Sequence, residues 1–470
     1  MISSSDAEVK YGEEITKDWD KYSKPHSVAY YIVVCLLGAI TGAVATALGT
    51  DLLGLYIVLL GFAAFVFLVF SNKDAKFRNL ILLAFLLRMG LALFHAYVMP
   101  LPDSGADAVM FERLGWQVAE AWFMGEEAPS LYGAFIYANW IGVLYFLFGR
   151  IPLVAQFTNV LLGTFTVYFT WKLALLITNS RRGALISALI IALFPTLNLY
   201  SAITMRESFI VFFTVTSAYC FFLWLKRGRL MQMFGAVTLL LPASALHGGM
   251  VFIEIVYLFF FSFYHPKKKP WVAFSLNSLV AVLLVVSHLV TFGDLVTNKL
   301  PQDMSMLFSA DYLGERTQIA ARDRAAYLTG FAPTSPLSML LQTPLRILYF
   351  LYTPFVWMVS AAVDVVGFFD ALLYIFLSIY AFKGLASLRR KDKLLFWGIV
   401  LILVVFLVVF AWGTSNYGTA IRHRPKIVWL LSVPAAIGIA KSRAWRWIYP
   451  VKRLYRGKNI SNKIAAKRNP

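Results

Sequence analysis

Residues Pro100 to Trp122 read Pro-Leu-Pro-Asp-Ser-Gly-Ala-Asp-Ala-Val-Met-Phe-Glu-Arg-Leu-Gly-Trp-Gln-Val-Ala-Glu-Ala-Trp. The stretch puts Asp103, Asp107, Glu112 and Glu120 into a chain with few acids elsewhere. It follows an apolar run of spanning length, about 79–98, so its acids lie at a membrane surface. Pro102 suits a helix entrance, and Ser104-Gly-Ala-Asp107 has the form of a capping box. Asp103 and Asp107 are four apart, so a helix would stack them on one face. Two carboxylates so placed are costly unless cations or substrate hydroxyls meet them. That favours a site over a plain cap, although Asp107 can serve as both.

The chain around this stretch is 60% hydrophobic and 14% charged over 470 residues. A soluble domain carries about a quarter charged residues. Apolar runs of spanning length recur from Tyr30 to Ala440, which reads as an all-α, polytopic integral membrane protein. A net charge of +19 would suggest nucleic acid in a soluble protein. Here the cations gather in short loops and tails between spans, the positive-inside pattern, so the expected partner is the bilayer and not nucleic acid. Cys35 and Cys220 both sit in apolar runs and read as small packing residues, not as a disulfide or metal site.

Charge sets the topology. A polar cytoplasmic arm (1–27) precedes a polytopic region (28–440). Spans are expected at about 28–49, 52–70 and 79–98, with Gly38 and Gly42 spaced for close packing in the first. Lys73, Lys76 and Arg78 lie inside, so Pro100 emerges outside. The first large outer loop is about 100–152. Its aromatic half, Leu131 to Gly149, reads as a helix lying in the interface, because a full span would put Arg181 and Arg182 outside. Further spans follow at about 153–177, 183–200, 207–225, 230–245, 249–264 and 271–292. The second large outer loop, about 293–363, holds a charged patch from Asp311 to Arg324. It also holds Leu337 to Met358, where Pro344 and Pro354 argue against one straight helix and for a second interfacial element. Spans at about 364–386, 394–412 and 425–440 bring the count to about twelve, with both termini cytoplasmic. The basic tail (441–470) suits anionic lipid on that face.

Three outer clusters stand out. Arg422, His423 and Arg424 break the positive-inside pattern. They read either as arginines snorkelling to headgroups or as a guanidinium clamp on phosphate, and two arginines and a histidine together favour the clamp. Arg206 and Glu207 follow Tyr200-Ser-Ala-Ile-Thr-Met. They can be site residues, or Glu207 can simply satisfy a helix dipole. His247 sits at a span turn, where a histidine is more often structural than catalytic.

Taken in order, these features resemble GT-C superfamily glycosyltransferases, in particular bacterial members like protein O-mannosyltransferases and lipid A aminoarabinose transferases. The carriers of the resemblance are Asp103 and Asp107 after an early span and the aromatic segment Leu131 to Gly149. Leu-Phe-Pro…Tyr-Ser…Arg-Glu at Leu193 to Glu207 and the late outer arginines Arg422 and Arg424 complete them. Many relatives have two adjacent acids in the first loop and one span before it. Here the acids are spaced and three spans precede them, and no long soluble C-terminal domain follows. The resemblance implies a transferase moving a hexosyl or pentosyl group, with inversion, from a polyprenyl-phosphate-linked sugar to an acceptor hydroxyl on a glycan, lipid or protein. It places the enzyme in a bacterial inner membrane with its active site on the outer face. Such chemistry needs a general base, with Asp103 first choice and Asp107 second. Glu207 would orient the acceptor or the base, partnered by Arg206. Arg422, Arg424 and Arg346 would hold the donor phosphate, with His247 and His423 as further candidates. A phosphate neutralised by arginine needs no metal, and no dedicated metal ligands are assigned, although a divalent ion between carboxylates and phosphate is compatible with this set. The nearest rival is a polysaccharide polymerase or ligase using a pyrophosphate-linked glycan. A lipid-linked glycan transporter is less favoured, because transporters usually put ionisable residues near mid-span and Glu254 is the main one here.

Overall fold

The computed structural model describes residues 50–70, 74–264, 279–280, 282–287, 290, 314–315, 317–319, 321 and 324–442. The chain divides into two units, Met1–Phe67 and Leu68–Pro470. The described part of the first belongs to helix α1 (Thr50–Phe70), where a span is expected.

In the second unit the early segments form α2 (Ala75–Tyr97), α3 (Ala106–Met124), α4 (Ile136–Phe148) and α5 (Pro152–Thr178). Next come α6 (Arg181–Leu193), α7 (Pro195–Ala202), α8 (Glu207–Arg227), α9 (Leu230–Leu246) and α10 (Phe252–Phe263). The late segments form α11 (Pro336–Tyr352), α12 (Ala362–Lys391), α13 (Lys393–Trp412), α14 (Tyr417–His423) and α15 (Val428–Lys441). Among the described residues the regular elements are all helices, and the one β-pairing is an isolated bridge, Ala326 with Asn416. Helix starts follow the capping rules: Asp74, Ser180 and Asp392 each accept from a backbone N–H in the first turn.

The helices fall where the apolar runs lie, but the expected count of about twelve spans is too high for the described residues. Five helices are long and apolar enough to cross a membrane, or six if α6 and α7 form one bent span. A crossing takes roughly 20 residues of helix. Helices α9, α10 and α15 have 17, 12 and 14 residues, and fall short. The arm, the first expected span, the tail and most of 271–292 lie outside the described residues, as does most of the charged patch before Arg324.

One expectation about local shape changes. Pro344 does not interrupt its segment: α11 runs unbroken from Pro336 to Tyr352, and the chain turns only afterwards, at Thr353-Pro354. A proline costs a helix one N–H bond, and an amphipathic helix with exposed Leu337, Leu340 and Leu341 tolerates that. The aromatic half of the first loop is α4, preceded by a single tight turn at Gly133–Phe135, and it packs on α3. Glu112 of α3 locks the pair by accepting from Arg150 Nε (2.9 Å) and Nη2 (3.0 Å) and from Tyr145 Oη (3.2 Å).

Among the described residues the tightest crossing is α12 on α15. A Cβ at Gly384 would lie 1.8 Å from the Pro434 carbonyl oxygen, and one at Gly438 would lie 2.2 Å from the Tyr380 oxygen. Only glycine lets the two backbones meet. Ion pairs sort the connections by end. Arg181 pairs with Asp74, so the loops before α2 and α6 share one end. Arg422 pairs with Asp103, so the first loop and the α13–α15 connection share another.

Candidate functional site

The site starts from the turn between α2 and α3. Asp103 has φ 61°, the left-handed region, which costs energy for any residue but glycine. It precedes α3, whose first residue is Ala106 and whose N-cap is Gly105. The expected capping box is therefore not made, and Asp103 and Asp107 do not stack on one helical face. Asp107 lies in the first turn of α3, and Asp103 in the turn before it.

A residue far away in sequence joins them. Arg422, in the last turn of α14, donates from Nε to Asp103 Oδ2 (3.0 Å) and from Nη2 to Asp103 Oδ1 (2.6 Å). Its Nη1 donates to Asp107 Oδ2. This is the planar fork binding paired oxygens. Tyr200 Oη, from α7, also donates to Asp103 Oδ2 (3.1 Å). Burial works against the Arg422 charge, but the bonds and the field of Asp103 outweigh it, so its pKa lies above the ordinary arginine value. The side chain is still 27% exposed. Two like charges share one site because a cation sits between them.

Two neighbouring segments hold α14 in place. Asn416 caps its first turn, accepting from Gly418 N (2.8 Å) and Thr419 N (3.3 Å). The strand-like stretch before it pairs with the middle of the second loop: Tyr327 N donates to Ser415 O and Tyr417 N to Ala325 O, each at 2.9 Å. Asp364 closes this corner, accepting from Arg324, Tyr417 Oη (3.1 Å), Ser360 N (3.0 Å) and Ala361 N (2.8 Å).

Behind Arg422 the site becomes buried. Lys426 is fully buried, with Nζ 3.2 Å from the Arg422 carbonyl, 3.0 Å from His423 Nδ1 and 3.8 Å from Glu207 Oε1. Glu207 thus faces Lys426. Arg206, expected as its partner, donates instead to Leu246 O (2.7 Å) and lies over Phe111, although Glu207 is near enough to favour its charge. Burial lowers the Arg206 pKa. His423 is pushed well below its ordinary value by burial first, then by Lys426, His247, Arg206 and Arg422. His247 packs edge to face on His423 and stacks on Phe410, and its Nδ1 accepts from Gly249 N (3.2 Å). Asn159 of α5 pins the 203–206 linker by donating to Ile203 O (2.8 Å) and Met205 O (2.9 Å).

The remaining arginines stand apart. Arg424 is fully buried. It donates to Leu351 O (3.0 Å) and to Thr353 O, lies over Tyr374 and sits 3.9 Å from Asp370. Arg346 is also buried, donating to Phe331 O (2.6 Å) and lying 4.2 Å from the Trp412 ring centroid. Among the described residues no three His, Cys, Asp or Glu side chains cluster as a metal site would need. Asp103 and Asp107 are bridged by the Arg422 guanidinium.

The structure therefore joins Asp103, Asp107 and Arg422, sets Glu207, His423 and His247 behind them, and leaves Arg424 and Arg346 elsewhere. Sequence reasoning passed over Lys426, Asn159 and Asp364, and gave Tyr200 no role of its own. Lys426 carried a signal, since a lysine within an apolar run needs a partner.

No family model matches the chain, and no curated protein matches it. Among solved structures it is similar to the archaeal oligosaccharyltransferase AglB from Archaeoglobus fulgidus, in complex with an inhibitory peptide and a dolichol-phosphate. The TM-score is 0.45 at 12% identity, over 82% of this chain and 53% of that one. A second structure, the Archaeoglobus fulgidus oligosaccharyltransferase with zinc and sulfate, gives 0.42 at 13% identity, over 76% and 48%. The chain spans about half the length of each.

Proposed function

We propose that the chain is a membrane glycosyltransferase, moving a sugar from a polyprenyl-phosphate-linked donor to an acceptor hydroxyl. The observation that carries this reading is the Arg422 fork on Asp103 and Asp107, part-exposed at the end of the bundle where the first and late loops meet. It sets two carboxylates beside a guanidinium, and transfer from a lipid phosphate needs a base and a phosphate-binding cation within one reach.

On this reading the donor phosphate draws Arg422 from the acids. Asp103, still held by Tyr200, then takes the proton of the acceptor hydroxyl. The acceptor oxygen attacks the anomeric carbon as the carbon–phosphate oxygen bond breaks. The phosphate leaves with both bonding electrons and its charge is met by Arg422. In-line attack inverts the anomeric carbon. Glu207 and Lys426 act behind the reacting groups by holding the Arg422 backbone. Arg424 and Arg346 hold loops and do not touch phosphate. Asp107 is the second acid.

The test is a donor panel. Purified protein is given polyprenyl-phosphate and polyprenyl-pyrophosphate sugars, and the released carrier is identified. Monophosphate carrier is the expected product. Turnover of pyrophosphate donors alone overturns the reading in favour of a polymerase or ligase.

A further inference from the structure

Arg88 lies midway along α2, in an apolar run, and is only 1% exposed. A cation there is expensive unless its donors are met. Its hydrogen-bond partners are carbonyl oxygens. Nη1 donates to Ala84 O (3.0 Å) and lies 3.4 Å from Ala192 O, while Nη2 donates to Ile191 O (3.1 Å). Ile191 and Ala192 belong to the last turn of α6.

That turn has lost a donor. In an unbroken helix the Ile191 carbonyl would accept from residue 195, which is Pro195 and has no N–H. Arg88 supplies the replacement from another helix. Phe194 is extended (φ −64°, ψ 119°), and α7 leaves at 54° to α6. Tyr200 comes at the far end of α7, where its hydroxyl donates to Asp103. The space for Arg88 is set by α5. A Cβ at Gly163 would stand 2.9 Å from Arg88 Nε and 2.3 Å from Ser201 Oγ. Arg88 Nε has no hydrogen-bond partner, and it borders a cavity of about 10 Å³ also lined by Glu207, Tyr200 and Ser208.

We propose that Arg88 is a positioning residue for the candidate site: it holds open the break at Pro195 so that α7 delivers Tyr200 to Asp103. The role in turnover rests on the reading of Asp103 as base. The geometric claim does not.

Arg88→Met alone leaves two buried carbonyls short of a donor and can unfold the chain. The deciding variant is Arg88→Met with Pro195→Ala, which returns an N–H to residue 195. This protein is expected to fold. Its structure by electron microscopy should show a straightened α6–α7 and Tyr200 out of reach of Asp103. Its turnover should fall about ten- to a hundredfold, the cost of one hydrogen bond to a charged group. Adding Tyr200→Phe should then lower it no further, because both changes remove the same contact. A retained bend with Tyr200 on Asp103, a full further loss from Tyr200→Phe, or failure of the double variant to fold would each overturn the proposal. If Asp103→Asn stays active, the base assignment fails, and the straightening still decides the role of Arg88.

Discussion

Arg422 and Arg424 are two residues apart, carry the same charge, and live in opposite worlds. Arg422 grips two carboxylates from a distant loop and keeps 27% of its side chain exposed. Arg424 has none exposed, and satisfies the carbonyls that end α11. The difference follows from the turn between them. Arg422 closes α14, whereas Arg424 begins the tight turn that leads into α15 and faces Tyr374 and Asp370 of α12. A guanidinium that a ligand can compete for is available for binding. One buried among carbonyls is structural, because removing it strands polar groups without water.

The comparison breaks most sharply at the acid that Arg422 holds. Asp103→Asn keeps the size and an acceptor but cannot take a proton, so turnover should fall by about two to four orders of magnitude. Steady-state rates with a saturating donor measure it, and a near wild-type rate would remove Asp103 from the chemistry. The next effect is on stability. Arg424→Met should destabilise by ~3 kcal/mol, as expected on breaking a buried ionic contact. Arg422→Met should cost less than about 1 kcal/mol, because its pairs are partly solvated. Melting curves in one detergent compare them, and equal losses would erase the distinction. A smaller effect is in binding. Arg422→Lys keeps the charge and loses the fork, so donor affinity should weaken about tenfold. Folded Arg424→Lys should bind donor as the parent does, and a matching loss would return Arg424 to the phosphate site.

The last effect is in pH. Folding holds His423 neutral by burying it among Lys426, His247, Arg206 and Arg422. The unfolded chain takes up a proton there as pH falls below about 6.5. Stability should therefore drop below that pH, by up to ~1.4 kcal/mol per unit, until the lowered folded value is reached. His423→Gln should flatten this slope in denaturant titrations at pH 7 and pH 5. An unchanged slope would show that His423 is not the group responsible.

How much of this was legible beforehand depends on the reach of each interaction. Apolar run length placed α2, α5, α8, α12 and α13 within a few residues, because burial in lipid acts on local composition. Spacing was less reliable. It suggested that Asp103 and Asp107 share a helical face, but a left-handed turn puts Asp103 outside α3. It also suggested a break at Pro344, where α11 continues.

By itself, the sequence determined an all-helical membrane chain with acids after an early span and unpaired cations in a late loop. Which cation meets which acid was decided only by tertiary structure. Asp103 and Arg422 are separated by 319 positions. Charge type and hydropathy are properties of a residue and its neighbours. A hydrogen bond of about 3 Å depends on how every intervening helix packs. The same physics that made Arg422 and Arg424 look alike in the sequence made them different once α14 turned toward the first loop and the following turn sank against α12.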